Sequence, residues 1–292
     1  MKSLIITYLL TYGGALASLF DPFVGLLIYL VFGIIKPDVT WFYAVPQGNY
    51  SRVVAIALLL GWTIKGFGDW RFGRGGAVIG GILGYWGLSI LGAVLAPNQE
   101  MGWHFVEELT KIVLPVLVGI TTIDSVRKLK QLAWVLMLSQ AYLAYEANLS
   151  YYVSGFNIIR ELGLGGMSDN NAVAIAMDTG VGLAFFLGMQ AKRWWQKALA
   201  FGSAALMAHG VLLSFSRGGM TGLIVVGFIT FLLIPKRPQH YLIFLLAVLL
   251  VLRLAGNDVR ERFGRRAGCG GSGALVSRRG EAGRCRRPIE DR

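Results

Sequence analysis

Charge is what this sequence has least of. Only 15% of its residues are Asp, Glu, Lys or Arg, against about 25% in a soluble globular chain. The shortage is local: charge is absent from long apolar blocks and crowded into the short segments between them. That distribution excludes a soluble domain. Cysteine is nearly absent too. The two present, Cys269 and Cys285, lie in the last stretch, so disulfides cannot hold the apolar part together. The motifs of soluble enzymes are missing. There is no phosphate loop ending in Gly-Lys-Ser or Gly-Lys-Thr, no His-Glu-x-x-His, no Cys-x-x-Cys and no Gly-x-Ser-x-Gly elbow. The three histidines, His104, His209 and His240, have no metal-ligand companion at helical spacing. No metal and no cofactor is expected.

What is present is hydrophobicity, at 55% of residues. It falls into ten apolar segments, at about 4–19, 22–35, 52–65, 76–96, 106–122, 131–149, 172–190, 198–215, 219–234 and 241–254. Runs of about 18 apolar residues cross a hydrocarbon core roughly 30 Å thick. The expected fold is all-α, a polytopic transmembrane helix bundle of about ten segments with no soluble domain. The 39 glycines suit helices that pack closely through small side chains. The first two segments meet at Asp21-Pro22, where Pro forces a turn or kink. Either a hairpin of two helices or one broken element fits.

The net charge of +12 does not point to nucleic acid, because the cations sit in short loops. Lys65, Arg71 and Arg74 share one loop, and Arg127, Lys128 and Lys130 a second. Lys192, Arg193 and Lys197 share a third, and Lys236 and Arg237 a fourth. These alternate with loops poor in Lys and Arg at 97–105, 150–171 and 216–218. The positive-inside rule puts the first group in the cytoplasm and the second outside. Trp103, Tyr151 and Tyr152 at outer boundaries, and Trp194 and Trp195 at an inner one, form the aromatic belts. Two full helices before residue 36 put the N-terminus outside; one crossing element puts it inside. The N-terminus does not read as a cleavable signal, since only Lys2 is basic and the apolar pattern runs on to Ile35. The expected location is a membrane, crossed many times.

The chain divides into N-terminal transmembrane segments at 1–149, an outer periplasmic loop at 150–171, further transmembrane segments at 172–264 and a tail at 265–292. The tail holds eight Arg and three acids, +5 of the total, without helical or strand period. Two readings fit it: a disordered basic tail, or an out-of-frame translation of a GC-rich gene. The second fits better, because by topology the tail begins on the outer face, where a strongly basic solvated segment is unusual.

The sharpest candidate site is Ser214-Phe215-Ser216-Arg217-Gly218-Gly219, joining two apolar segments at the outer face. A lone Arg there goes against the positive-inside bias, and ionisable groups at membrane depth usually face a cavity or a partner. The guanidinium fork binds phosphate bidentately. The two glycines admit a ligand to the backbone, and the next helix start offers free N–H groups and a positive dipole end. Together these make an anion site. The competing reading is an Arg reaching lipid headgroups from a tight turn. The loop 150–171 ends Gly163-Leu164-Gly165-Gly166-Met167-Ser168-Asp169-Asn170-Asn171. Helix capping explains one of Asp169, Asn170 and Asn171, but not all three. Arg160 is a second phosphate contact or a loop Arg paired with Glu161. His209, inside an apolar segment, is expected to hydrogen-bond a neighbouring helix.

These features resemble the O-antigen ligase and polymerase superfamily of bacterial envelope glycosyltransferases, most nearly the O-glycosylation ligases associated with exosortase A systems. The matching residues are the Asp21-Pro22-Phe23 turn, the apolar block ending Lys36-Pro37, the loop ending Asp169-Asn170-Asn171 and the Ser216-Arg217-Gly218 turn. The likeness covers residues 1 to about 264, makes 172–264 the start of a ligase-type domain, and implies the bacterial inner membrane as the location. It implies an integral membrane glycan ligase that moves an oligosaccharide from an undecaprenyl-diphosphate carrier to an acceptor glycolipid or protein at the periplasmic face. No metal, cofactor or nucleic acid takes part. Arg217 matches the Arg held to grip the lipid diphosphate, with Ser216 and Gly218 beside it. Arg160 is the candidate for a further family Arg, and Asp169, Asn170 and Asn171 complete the substrate-binding set.

The sequence departs from that family in one respect. Members carry a large periplasmic loop with a His-Asn motif taken to supply the base, and no His-Asn pair occurs here. The resemblance therefore implies the front part of such a transferase, and whether the chain acts as an enzyme is left open. The alternatives are a polymerase of the same superfamily, a transporter or flippase, and an inactive fragment. A transporter would show two related halves with broken helices, and no internal repeat is visible.

Overall fold

A computed structural model describes residues 2–70, 72–167 and 169–234, with 241, 242, 245, 246 and 249. Nearly all of the tenth apolar segment, the loop bearing Lys236, Arg237 and His240, the tail with its two cysteines, and Ser168 lie outside the described residues. Helix is the only extended regular structure among the described residues; the one β-type pairing is an isolated bridge between Leu164 and Met167.

The helices, in order, are α1 (Lys2–Tyr8), α2 (Gly14–Phe20), α3 (Pro22–Ile35), α4 (Pro37–Thr40), α5 (Tyr50–Ile64) and α6 (Gly76–Leu95). There follow α7 (Gln99–Thr122), α8 (Val126–Ser154), α9 (Ile158–Glu161), α10 (Asn170–Gln190), α11 (Trp194–Leu213) and α12 (Arg217–Leu233). A π-helical turn, Leu9–Gly13, fuses α1 and α2. Short polar side chains start the apolar blocks. Asp21 accepts from the Phe23 N–H at 3.0 Å with Pro22 opening α3, Asn98 accepts from Met101, and Ser125 accepts from Lys128. Each occupies an orphan donor of a first helical turn. Gly155, at φ 70°, stops α8 in the left-handed conformation that glycine adopts without strain.

Nine of the ten apolar segments thus fall on helices. Among the described residues, four stretches are long and apolar enough to cross a membrane: Lys2–Phe20, Pro22–Thr40, Gly76–Leu95 and Asn170–Gln190. Tyr50–Ile64 and Arg217–Leu233 are apolar but shorter. The outward surface carries large apolar side chains, among them Leu9, Phe20, Leu88, Leu95, Ile175 and Ile224, all more than half exposed. The loop expected at 150–171 is shorter than that, because α8 continues to Ser154 and α9 adds a turn.

The start of the chain forms a hairpin of two helices. A side chain at Gly14 would press on Ile28, and one at Gly25 would collide with Ser18, so α2 and α3 pack antiparallel through small residues. Gly61 of α5 lies against the Ser18 backbone with no room for a Cβ. Two apolar cores result. One gathers Leu26, Leu58, Trp62, Ile79, Val113 and Leu117 from α3, α5, α6 and α7. The other gathers Met137, Ala144, Val173, Met177, Met207 and Val211 from α8, α10 and α11. Pro115 sits inside α7 and has no N–H to give the Lys111 carbonyl. The Tyr29 hydroxyl of α3 donates to that carbonyl at 3.0 Å.

Contacts between loops sort the two ends of the bundle. At one end the Asp69 N–H donates to the Thr121 carbonyl at 3.0 Å, and the Lys128 ammonium lies 5.5 Å from the Phe23 ring centre. At the other, Gly165 abuts the Ile34 carbonyl, the Trp41 indole donates to the Tyr142 hydroxyl at 2.8 Å, and the Asn157 amide donates to the Leu213 carbonyl at 2.8 Å. Two of the basic loops therefore share one end, and the loop 155–169 lies with the Ser216 turn at the other.

Candidate functional site

Three pieces of chain build a cleft at the second end: α9, the N-terminus of α10 and the turn into α12. Its volume is about 580 Å³, and it is lined by Arg160, Asp169, Asn170, Asn171, Ser214, Phe215, Ser216, Arg217 and Gly218. All seven residues singled out in the sequence are in that set, brought together from positions as far apart as 160 and 218.

Ser216 organises it. Buried at 5% exposure, it caps α12 by accepting the Gly219 N–H at 3.0 Å, and its hydroxyl donates to Asn171 Oδ1 at 2.6 Å. Its own N–H donates to Ser214 Oγ at 3.1 Å, and the Ser214 hydroxyl donates to the Val211 carbonyl. Between the two serines Phe215 has φ 52°, a left-handed conformation uncommon for a bulky residue. The turn is thus held by two buried hydroxyls, and it sets Arg217 and Gly218 on the surface of the cleft.

Asp169 caps α10, accepting from the Asn171 and Ala172 N–H groups at 3.3 and 3.2 Å. The Asn171 amide turns back to Asp169 at 3.4 Å, and Asn170 is half-buried. On the far wall the Asn157 side chain caps α9, and Arg160 pairs with Glu161 at 3.6 Å, both about half exposed. Among the described residues the Arg217 guanidinium has no hydrogen-bond or ion-pair partner. The lining side chains carry two guanidiniums and one carboxylate.

Helices α10 and α12 run side by side in the same direction. Asn171 meets Ser216, Ala174 meets Gly219, and Asp178 meets Gly222, at nearly constant offset along both chains. Both N-termini therefore open on the cleft, where backbone N–H groups and dipoles favour an anion. A cation at the first position of α12 is disfavoured by that dipole unless an anion lies beside it.

The structure separates the two glycines. Gly218 faces open space, whereas Gly219 is buried where a Cβ would collide with Ala174, so it serves helix packing rather than ligand approach. The glycine-rich stretch does not line the cleft either. Gly163, Gly165 and Gly166 have φ of 78°, 58° and 77°, and the last two pack against Ile34 and Lys36. Ser214 and Phe215 belong to the same six-residue turn read from the sequence, which gave them no substrate role, and they line the cleft as well. The Ser-x-Ser spacing is a signal for the first; no signal marks a left-handed Phe.

Deeper in the bundle, His209 Nδ1 meets Asn148 Oδ1 of α8, and its ring stacks on Tyr152 with centroids 5.6 Å apart. This is the interhelical role expected for it. Asp178 is buried in α10, and its Oδ1 has no donor among the described residues. Among the described residues no group of three or more His, Cys, Asp or Glu side chains gathers as metal ligands would. Compared with known proteins, the chain matches no family model, no curated protein and no solved structure.

Proposed function

We propose that this chain crosses a bacterial inner membrane through about ten segments. In that membrane it acts as a glycan ligase on an oligosaccharide carried by undecaprenyl diphosphate. The observation that supports this reading is the convergence of Arg160, Asp169, Asn170, Asn171, Ser216, Arg217 and Gly218 on one cleft. The cleft combines what a lipid diphosphate requires: guanidinium forks, open helix N-termini and a place at one end of an apolar bundle.

In the transfer, an acceptor hydroxyl oxygen bonds to the anomeric carbon. The bond from that carbon to the diphosphate oxygen breaks, and undecaprenyl diphosphate leaves with the electron pair. The role of Arg217 is to stabilise charge as it builds on that leaving group, with Arg160 on the opposite wall. The acceptor proton goes to a general base. The one carboxylate in the cleft, Asp169, is engaged in capping α10, so the base lies beyond the seven residues. Acceptor and donor must occupy the cleft together.

The test is binding of undecaprenyl diphosphate to the purified chain, which needs no turnover. A charge-assisted contact contributes about 1.5–3 kcal/mol, or roughly ten- to a hundredfold in affinity. Arg217→Ala weakens binding by that factor, and Arg217→Lys restores part of it, keeping the charge but losing the fork. Full recovery by Lys favours simple headgroup contact, and equal binding by wild type and Arg217→Ala removes the diphosphate site.

A further inference from the structure

A second concavity is larger than the Arg217 cleft. It is a groove of about 1240 Å³ between α3, α5, α7 and α8. Its mouth is charged: Lys36, Arg52, Lys111, Asp38, Glu107 and Glu108 are all in its lining. Lys111 lies 2.6 Å from Glu108 and 3.0 Å from Glu107, and Arg52 lies 3.9 Å from Glu107. All these side chains are about half exposed or more, so the pairs are not sealed from an incoming headgroup. Below the mouth the walls are apolar, with Leu30, Val116, Ile120 and Leu136 among them, and the lining continues to Ile123 near the opposite end. From Glu108 to Ile123 the groove follows α7 for about 22 Å at 1.5 Å per residue. One leaflet of a hydrocarbon core is roughly 15 Å deep.

A charged mouth above an apolar trough longer than a leaflet is complementary to an amphiphile with an extended chain. The mouth also selects the headgroup. It presents three cations and three carboxylates, so a headgroup carrying several negative charges would set them against Asp38, Glu107 and Glu108. A headgroup carrying one phosphate and one ammonium finds a partner for each: the phosphate at Arg52 and Lys111, the ammonium at the carboxylates. We propose that this groove binds a bilayer phospholipid with a zwitterionic, phosphatidylethanolamine-type headgroup, its acyl chain lying along α7. The inference goes beyond the transfer reaction. It rests on the membrane placement but not on glycan transfer, because the groove shares no residue with the Arg160–Arg217 cleft.

Gly33 gives the means to test it. It lines the groove, and a Cβ there meets nothing within 4 Å, so Gly33→Leu adds bulk to the trough without a clash at the Cβ. The full chain is purified in detergent and mixed with equimolar phosphatidylethanolamine, phosphatidylglycerol and undecaprenyl diphosphate, and bound lipid is counted by native mass spectrometry. Wild type retains phosphatidylethanolamine over phosphatidylglycerol by about tenfold, the scale of one charge-assisted contact. Gly33→Leu loses it, and Arg217→Ala keeps it. The double variant Glu107→Gln, Glu108→Gln loses the preference while still binding phosphatidylglycerol, and this decides the matter if Gly33→Leu does not fold. Equal retention of the two phospholipids by wild type, no retention of either, or retention unchanged in the double variant overturns the proposal. Loss of undecaprenyl diphosphate in Gly33→Leu would assign the groove to the carrier lipid instead. Failure of the Arg217 test with the phospholipid pattern intact would remove the diphosphate site and leave this one standing.

Discussion

The Ser216 hydroxyl donates to Asn171 Oδ1 at 2.6 Å while accepting the Gly219 N–H at 3.0 Å, so one side chain joins the starts of α10 and α12. Ser216→Ala removes a cap and a cross-helix bond together. The expected loss is about 1–2 kcal/mol, the usual range for a lost Ser cap. Asn171→Ala removes the cross-helix bond, about 1 kcal/mol, together with the long 3.4 Å contact of its amide to Asp169. Thermal unfolding of the two single variants and the double variant measures the coupling. A double variant less destabilised than the sum of the two singles is the expected result; strict additivity would mean that the bond carries no energy.

Neighbouring glycines should behave oppositely. Gly218→Ala meets open space, with Ser216 Oγ the nearest atom at 3.8 Å. It should be neutral or stabilising by up to about 1 kcal/mol, since Ala gives up less backbone entropy in a helix. Gly219→Ala pushes α12 off Ala174 and should cost about 1–3 kcal/mol, as overpacking does. Midpoints of detergent-solubilised protein report both. Equal tolerance would contradict the close approach of α10 and α12.

Loop charge predicts sidedness. With Cys269 and Cys285 replaced by Ser, a cysteine at Lys128 or Lys192 should resist a membrane-impermeant thiol reagent in intact cells. One at Ser154 should react. Labelling of the Lys128 position from outside would sink the orientation.

Tyr29→Phe keeps the ring and deletes the hydroxyl that serves the Lys111 carbonyl. A loss of about 0.5–1.5 kcal/mol is expected. Restoring an N–H with Pro115→Ala in the same chain should recover most of it. A Tyr29→Phe variant as stable as wild type, with or without Pro115, would show that the carbonyl is satisfied otherwise.

The apolar segments were legible because helices apolar on every side carry no polar stripe, so hydrophobic length alone marks them. Their ends were less so. Hydrophobicity fades at Leu149, yet α8 runs to Ser154, because Tyr151, Tyr152 and Val153 are compatible with helix and only Gly155 ends it. Helix α7 likewise starts at Gln99, seven residues before its apolar run, since Asn98 caps it there. The candidate site was legible as two separate turns, because Asp, Asn, Ser and Gly at helix starts carry local signals. That the turns meet was not, since the meeting depends on α10 and α12 lying side by side. Gly219 was read as a ligand-side glycine because its neighbour across the interface, Ala174, lies 45 positions away.

The parallel course of α10 and α12 sets a floor under any mutational study of the cleft. Two like-signed backbone ends are held together by packing at Ala174–Gly219 and Asp178–Gly222, not by the arginines. Removing both guanidiniums leaves that field in place, equivalent to roughly half a unit charge per helix. Anion affinity should therefore fall to a residual, salt-sensitive value in an Arg160→Ala, Arg217→Ala chain, while selectivity for planar, bidentate phosphate contact disappears. The attraction belongs to the backbone, and the discrimination belongs to the side chains.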